Sequence, residues 1–215
     1  MLAFLSDDWK PVAVHVRQST KRVIADVVFD DQHADLDAVE AQVARILSLD
    51  IDGKPFDAID DEVIADLRAD NPGLRPVLFS SPYEAAVWAV LSQRTQMRQA
   101  AVIRERLDEQ HGTAIKVDGV DYRRSITPER LLDLRSVQGM PASKVPWLHD
   151  LARAALDGML DAGRLRAIDP AEAIEELKRI EGIGEFSADL ILIRSAGAPD
   201  MFPGNEPRLH SAMTA

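Results

Sequence analysis

Apolar positions along this chain recur with two different periods. Val12, Val14 and Val16 alternate with Ala13, His15 and Arg17, and Val23 to Phe29 forms a return run. This period of two predicts a β-hairpin turning at Gln18–Lys21. From residue 35 the period lengthens. Leu36, Val39, Val43, Ile46 and Leu47 predict a helix over 35–49. Asp50 to Pro55 reads as a connection, 55–70 as a short helical segment, and Asn71-Pro72-Gly73 as a turn. Ser81-Pro82-Tyr83-Glu84 has the form of a capping box with proline at the first helical position, which predicts a helix to Ser92. A second helix follows from Thr95 to Gly112, and 113–126 reads as an irregular loop around Gly119. Thr127-Pro128 opens a helix through Leu134, Gly139-Met140-Pro141 breaks the chain, and a further helix runs from Ser143 to Gly158. Asp169-Pro170-Ala171-Glu172 repeats the capping pattern. The expected fold is mainly α, with a small N-terminal β-hairpin and helix over residues 1–52 and a helical region over 53–215.

One stretch combines period and punctuation. Leu177, Ile180, Ile183, Ala188, Ile191 and Leu192 keep helical spacing on both sides of Gly182-Ile183-Gly184. The two glycines permit a tight turn and a close backbone approach. Glu185 then opens a helix whose first amides lack partners inside it, and such an end attracts anions.

Charge changes this picture. The chain of 215 residues carries a net charge of −11. Residues 1–75 hold 8 Lys+Arg and 16 Asp+Glu, whereas residues 76–215 hold 17 and 20. The acidic excess therefore sits in the N-terminal part, and the hairpin itself is flanked by Glu181 and Glu185. That background weakens any phosphate contact, because neutralising phosphates supplies most nonspecific affinity for DNA. The absence of cysteine excludes disulfides and fits a reducing cytoplasm. Met1 to Leu5 is too short, and too quickly followed by Asp7 and Asp8, for a secretory leader. No apolar run is long enough for a membrane span. His15, His33, His111, His149 and His210 are scattered without metal-ligand spacing.

The segment Leu177–Glu206, LKRIEGIGEFSADLILIRSAGAPDMFPGNE, resembles the helix-hairpin-helix of the DNA glycosylase superfamily. The block Ser81–Gly112, SPYEAAVWAVLSQRTQMRQAAVIRERLDEQHG, resembles the helix pair written PFEALVRAILSQQ in the alkylpurine class, 3-methyladenine DNA glycosylase II. The resemblance runs from Ile46 to Arg208. It implies hydrolysis of the N-glycosidic bond of alkylated purines in double-stranded DNA, by a cytoplasmic monomer with no cofactor. It permits a monovalent cation on the hairpin carbonyls. Bifunctional members carry a lysine two residues after the second hairpin glycine, which attacks the sugar as an amine. Phe186 stands there, as an aromatic does in the alkylpurine class, so the resemblance implies a monofunctional enzyme.

Twenty residues beyond that aromatic the family carries its catalytic aspartate. Here the position is Glu206, preceded by Asn205. Glu206 is thus the candidate catalytic carboxylate. Phe186, Trp88 and Leu190 are candidates for the base pocket. Gly182, Ile183, Gly184, Gln93, Arg94 and Lys144 are candidates for DNA contact. Gln93 and Arg94 fall at the helix break where the family inserts a side chain into the duplex. Arg98, Lys178, Arg179 and Arg194 are further cations within reach of phosphates, and Trp147 and Phe202 are assigned to the core. The family continues past this point with helices that help close its cleft, whereas this sequence stops nine residues after Glu206. The alternative reading is a non-catalytic paralogue that binds DNA or a partner protein.

Overall fold

A computed structural model describes residues 1–19, 22–30 and 34–214. Three antiparallel strands, β1 (Leu2–Leu5), β2 (Pro11–Gln18) and β3 (Val23–Asp30), form an N-terminal sheet in that order. The expected hairpin is β2–β3, with Val16 opposite Ala25 and a register shift at Ala13/Val14. Thr20 and Lys21, at the expected turn, lie outside the described residues, as does His33. β1 is an addition: its four residues pair with β2, Leu2 opposite Val14. The helix α1 (Leu36–Ile46) is capped by Asp35, which accepts from the amides of Asp37 and Ala38. Its apolar face, Val39, Val43 and Ile46, packs with Phe4, Val12 and Val14.

The expected helical segment over 55–70 is two helices, α2 (Lys54–Asp57) and α3 (Glu62–Asp70), the second capped by Asp61. The helical core then follows the pattern and adds one short helix, Ala162–Ala167, capped by Asp161. It comprises α4 (Pro82–Ser92), α5 (Met97–His111), α6 (Pro128–Leu132), α7 (Val145–Leu156), α8 (Ala162–Ala167), α9 (Pro170–Leu177) and α10 (Glu185–Ile191). α10 continues into a π-helical turn, Leu192–Ala196, and after a loop α11 (Pro207–Met213) ends the described chain. Leu91, Ile103, Leu107, Leu131, Leu148, Leu151, Leu177 and Ile191 are among the side chains that close the core.

The loop expected over 113–126 is instead a second hairpin, β4 (Thr113–Val117) and β5 (Val120–Arg124), with Ile115 opposite Tyr122. Its turn is Asp118-Gly119, both with positive φ, 50° and 81°. That is the backbone of a tight two-residue hairpin turn, for which Asp-Gly is a favoured pair. Ile115 and Val117 pack with Ala13 of β2.

Buried polar groups lock these parts together. Arg45 donates to the Ser195 carbonyl at 2.7 Å and to the Ser80 carbonyl at 3.2 Å, and pairs with Asp7 at 3.1 Å. It thereby ties α1 to the C-terminal π-helical turn. The Ser81 hydroxyl caps α4 through the Glu84 amide. The Glu84 carboxylate is turned to Arg104 at 2.6 Å, and Arg104 also holds Asp108 at 2.9 Å. A buried guanidinium between two carboxylates is held firmly in its charged form, and burial without those partners would be costly.

Candidate nucleic-acid interface and active site

The hairpin is built on two helices that the sequence caps well. Asp169 accepts from the amides of Ala171 and Glu172 at 2.9 and 3.3 Å, and Pro170 takes the first position of α9. The turn is then fixed by main-chain bonds. The Ile183 amide donates to the Ile180 carbonyl at 3.0 Å, and the Glu181 amide donates to Asp150 Oδ2 at 2.8 Å. The two glycines play different parts. Gly182 has φ +87°, and a Cβ there would lie 3.0 Å from the Trp147 ring. Gly184 has φ −102° and open space where a Cβ would be. The turn itself therefore requires glycine only at Gly182.

Gly182, Gly184 and Glu185 present amides that make no hydrogen bond among the described residues. Ile183 does not, because its amide already serves the turn. Of the three hairpin candidates for DNA contact, Ile183 is thus the one whose amide is committed to the turn. Of the two acidic residues flanking the hairpin, Glu181 accepts from Trp147 Nε1 at 3.1 Å, and Glu185 lies 3.5 Å from Lys178 Nζ. Lys178 also holds Glu175 at 2.8 Å. Its charge is thus shared between two carboxylates. Hydrogen bonding to Glu175 is the main cause that raises its pKa. Trp147, expected in the core, is half-buried: it packs against the core and lies beneath Gly182.

The α4–α5 junction carries a second correction. Lys144, a candidate phosphate contact, is 5% exposed. Its Nζ donates inward, to the Leu91 carbonyl at 2.9 Å, the Gln93 carbonyl at 2.7 Å and Thr95 Oγ1 at 3.1 Å. All three ammonium donors are therefore used within the protein. Burial lowers the pKa of this ammonium. Its work is to hold the junction, and there Arg94 is exposed with φ 51°, a left-handed conformation rare outside glycine and asparagine. Gln93 Oε1 beside it is buried without a partner. The junction thus combines a strained, outward residue with a firmly tied base. Arg194, another candidate phosphate contact, donates to the Val77 carbonyl at 3.2 Å.

The candidate pocket residues separate by exposure. Phe186, in the first turn of α10, is 51% exposed, so it is not core packing. Leu190 is one turn further on the same face, half-buried against the main core. α10 packs on α4, the helix that carries half-buried Trp88. Phe202, expected in the core, is 58% exposed and stacks on His210 with ring centroids 5.1 Å apart. Its loop buries too little around it to enclose a ring.

Glu206 caps α11. Its Oε1 accepts from the Arg208 amide at 3.2 Å, and Pro207 fills the first helical position. The glutamate therefore folds back onto its own helix despite the extra methylene. The loop before it is closed by the Glu206 amide to the Pro203 carbonyl at 3.3 Å and by His210 Nε2 against the same carbonyl at 3.2 Å. Glu206, Phe186 and Trp88 do not line the clefts around His111–Ser136 and between residues 48–78 and 193–200. Asp150 and Trp147, which brace the hairpin, carry no motif of their own in the sequence. Among the described residues there is no group of three or more His, Asp or Glu able to hold a metal ion, and no helix long and apolar enough to cross a membrane.

No family model matches the sequence. Among known proteins, the DNA-3-methyladenine glycosylase of Bacillus subtilis is 27% identical over 139 residues, covering 61% of this chain and 45% of its own length. DNA-3-methyladenine glycosylase 2 of Escherichia coli is 31% identical over 140 residues, covering 63% and 49%. The chain thus spans about half the length of the curated relatives it matches. Among solved structures, a 3-methyladenine DNA-glycosylase from Archaeoglobus fulgidus superposes with a TM-score of 0.77 at 21% identity, over 99% of this chain and 72% of that one. The apo form of the 8-oxoguanine glycosylase/lyase of Clostridium acetobutylicum gives 0.72 at 17% identity, over 99% and 76%.

Proposed function

We infer, from the kinship of this chain with the helix-hairpin-helix DNA glycosylases and with their 3-methyladenine class in particular, that it is a monofunctional base-excision glycosylase of alkylated purines in double-stranded DNA. The observation that carries this reading is the sequence similarity to proteins named DNA-3-methyladenine glycosylases, joined to the fold that such proteins share. The protein acts in the cytoplasm as a monomer and needs no cofactor.

The chemistry asks little of the protein. An N3- or N7-alkylated purine is cationic and leaves as a neutral base. As its bond to C1′ breaks, the sugar develops oxocarbenium character, which a carboxylate stabilises electrostatically. The oxygen of a water molecule bonds to C1′, and its proton passes to the carboxylate or to solvent. Glu206 supplies that carboxylate, held at the start of α11 by the Arg208 amide. Phe186 offers an open ring face for a cationic base. Its benzyl side chain has no amine, so no Schiff base forms with the sugar.

Binding precedes that chemistry. The free amides of Gly182, Gly184 and Glu185 receive a phosphate oxygen. Arg94, presented at the Lys144-braced junction, enters the gap left by the extruded base. Extrusion costs a few kcal/mol, least for a damaged base. The acidic background keeps duplex binding weak and strongly salt-dependent. Incubation with methylated duplex DNA, followed by chromatography of the released bases, tests the reading. Free 3-methyladenine or 7-methylguanine is the expected product, and a methylated duplex left intact would refute it.

A further inference from the structure

The alkylpurine-class pattern PFEALVRAILSQQ runs alongside Pro82–Arg94, and its final glutamine is an arginine in this chain. The exchange changes what that position can recognise. A glutamine amide carries both donors and an acceptor, so it can pair with the edge of any base. A guanidinium carries donors only, fixed in a planar fork.

The structure prepares this side chain for a contact outside the protein. Arg94 is exposed, and among the described residues its guanidinium has no hydrogen bond or ion pair. Its backbone is held at φ 51°, a strained conformation that persists only where the surroundings impose it, and such strain gathers at ligand contacts. The chain is tied on both sides of it. The Gln93 amide donates to the Ala89 carbonyl at 3.1 Å, and the Thr95 amide to the Ser92 carbonyl at 3.0 Å. Thr95 Oγ1 donates to the Gln93 carbonyl at 3.1 Å, and the Lys144 ammonium holds the Leu91 and Gln93 carbonyls. The arginine therefore extends from a fixed base, and only its own side-chain torsions remain to be frozen on binding.

We propose that Arg94 reads the base left unpaired opposite the lesion and selects cytosine, so that alkylated guanines are favoured among the alkylated purines. The proposal rests on the glycosylase reading, in which Arg94 enters the gap left by the extruded base. The unpaired base shows its pairing edge to that gap. On cytosine, N3 and O2 are adjacent acceptors, spaced for two parallel N–H donors of a guanidinium. On thymine an N–H lies between O4 and O2, so one guanidinium donor meets another donor and a single bond remains. Adenine and guanine likewise lack two adjacent acceptors on that edge. Loss of a bidentate arginine contact to a base costs about tenfold or more in affinity. Cytosine stands opposite guanine and thymine opposite adenine, so the same preference ranks the lesions.

Duplexes with one tetrahydrofuran abasic analogue opposite cytosine, thymine, adenine or guanine isolate this contact, since no base has to be extruded and no bond is cleaved. Affinity is measured by low-salt fluorescence anisotropy for wild type, Arg94→Gln and Arg94→Lys. Arg94 is exposed, so both variants keep the fold, and a thermal melt verifies it. Wild type should bind the cytosine duplex about tenfold more tightly than the other three. Each variant should bind the cytosine and thymine duplexes equally, because glutamine restores the mixed amide and lysine keeps the charge without the fork. In methylated duplex DNA, the ratio of 7-methylguanine to 3-methyladenine released should fall in Arg94→Gln. Equal affinity of wild type for the cytosine and thymine duplexes would overturn the proposal. So would the absence of binding, or a cytosine preference that survives in Arg94→Gln. Base release by a wild type without cytosine preference would leave the glycosylase reading standing and remove Arg94 as the reader. A cytosine preference without base release would keep the contact and refute the glycosylase reading.

Discussion

Alanine at Gly182 and alanine at Gly184 are the same chemical change two residues apart, and the structure assigns them opposite consequences. At Gly182 the backbone sits at φ +87°, where an L-residue is strained by about 1–2 kcal/mol. The new Cβ would also lie 3.0–3.1 Å from three atoms of the Trp147 ring. That ring is pinned by its hydrogen bond to Glu181, so it moves only by breaking a contact, and such overpacking costs about 1–3 kcal/mol. The sum centres near 3.5 kcal/mol. At about 2–4 °C per kcal/mol for a chain of this size, Gly182→Ala should lower Tm by about 7–14 °C. At Gly184, φ is −102° and a Cβ meets nothing. Gly184→Ala should leave Tm unchanged or slightly raised, since alanine restricts the unfolded chain. If the Gly184 amide faces a phosphate, however, the added methyl enters that space, and affinity for an abasic-site duplex should fall about tenfold, which is about 1.4 kcal/mol. Thermal unfolding and low-salt fluorescence anisotropy measure the two quantities. Equal melting of wild type and Gly182→Ala would refute the packing argument. A Gly184→Ala protein with full affinity would remove the hairpin from the interface.

Other consequences are equally direct. Lys144→Met leaves the Leu91 and Gln93 carbonyls without their donor and should destabilise the protein by about 2–4 kcal/mol in denaturant titration. Tyr83 is buried with its hydroxyl on the Ile126 carbonyl at 2.9 Å, and burial raises its pKa well above 10.0. The unfolded chain ionises first, so this contribution to stability is intact below pH 10.0 and should fall by about 1.4 kcal/mol per pH unit above it. Tyr83→Phe should flatten that alkaline slope. Borohydride treatment on abasic-site DNA should trap no covalent adduct, because Phe186 stands where a lyase carries its amine.

Much of this architecture is written in local sequence. Asp35, Ser81, Thr127 and Asp169 cap helices where the pattern of polar residue and apolar run predicts them. The missed elements have different causes. β1 is four residues long and gains its partner only through Val12–Val14, so nothing local announces it. The β4–β5 hairpin carries a local signal, Asp118-Gly119 between Val117 and Val120, but its strands are only five residues each and lack a clean apolar alternation. At the candidate site, spacing located the hairpin and the capping carboxylate. It could not distinguish a lysine that meets phosphate from one that braces a turn. Lys144 differs from an exposed lysine only in acceptors supplied from 49 to 53 residues away. Nor does spacing tell that Ile183 uses its amide while Gly184 leaves its own free.

The central claim is that Glu206 is the carboxylate of a glycosylase. One experiment addresses it: release of 3-methyladenine and 7-methylguanine from methylated duplex DNA by wild type, Glu206→Gln and Glu206→Asp, side by side. A glutamate in place of aspartate shifts the carboxylate by about 1.5 Å of bond, and a misplacement of about 1 Å at a reacting centre costs roughly a hundredfold in rate. Wild type should therefore release base slowly, Glu206→Asp should match or exceed it, and Glu206→Gln should release none while melting at the same temperature. Equal release by wild type and Glu206→Gln, or no release by wild type and Glu206→Asp alike, would contradict the account.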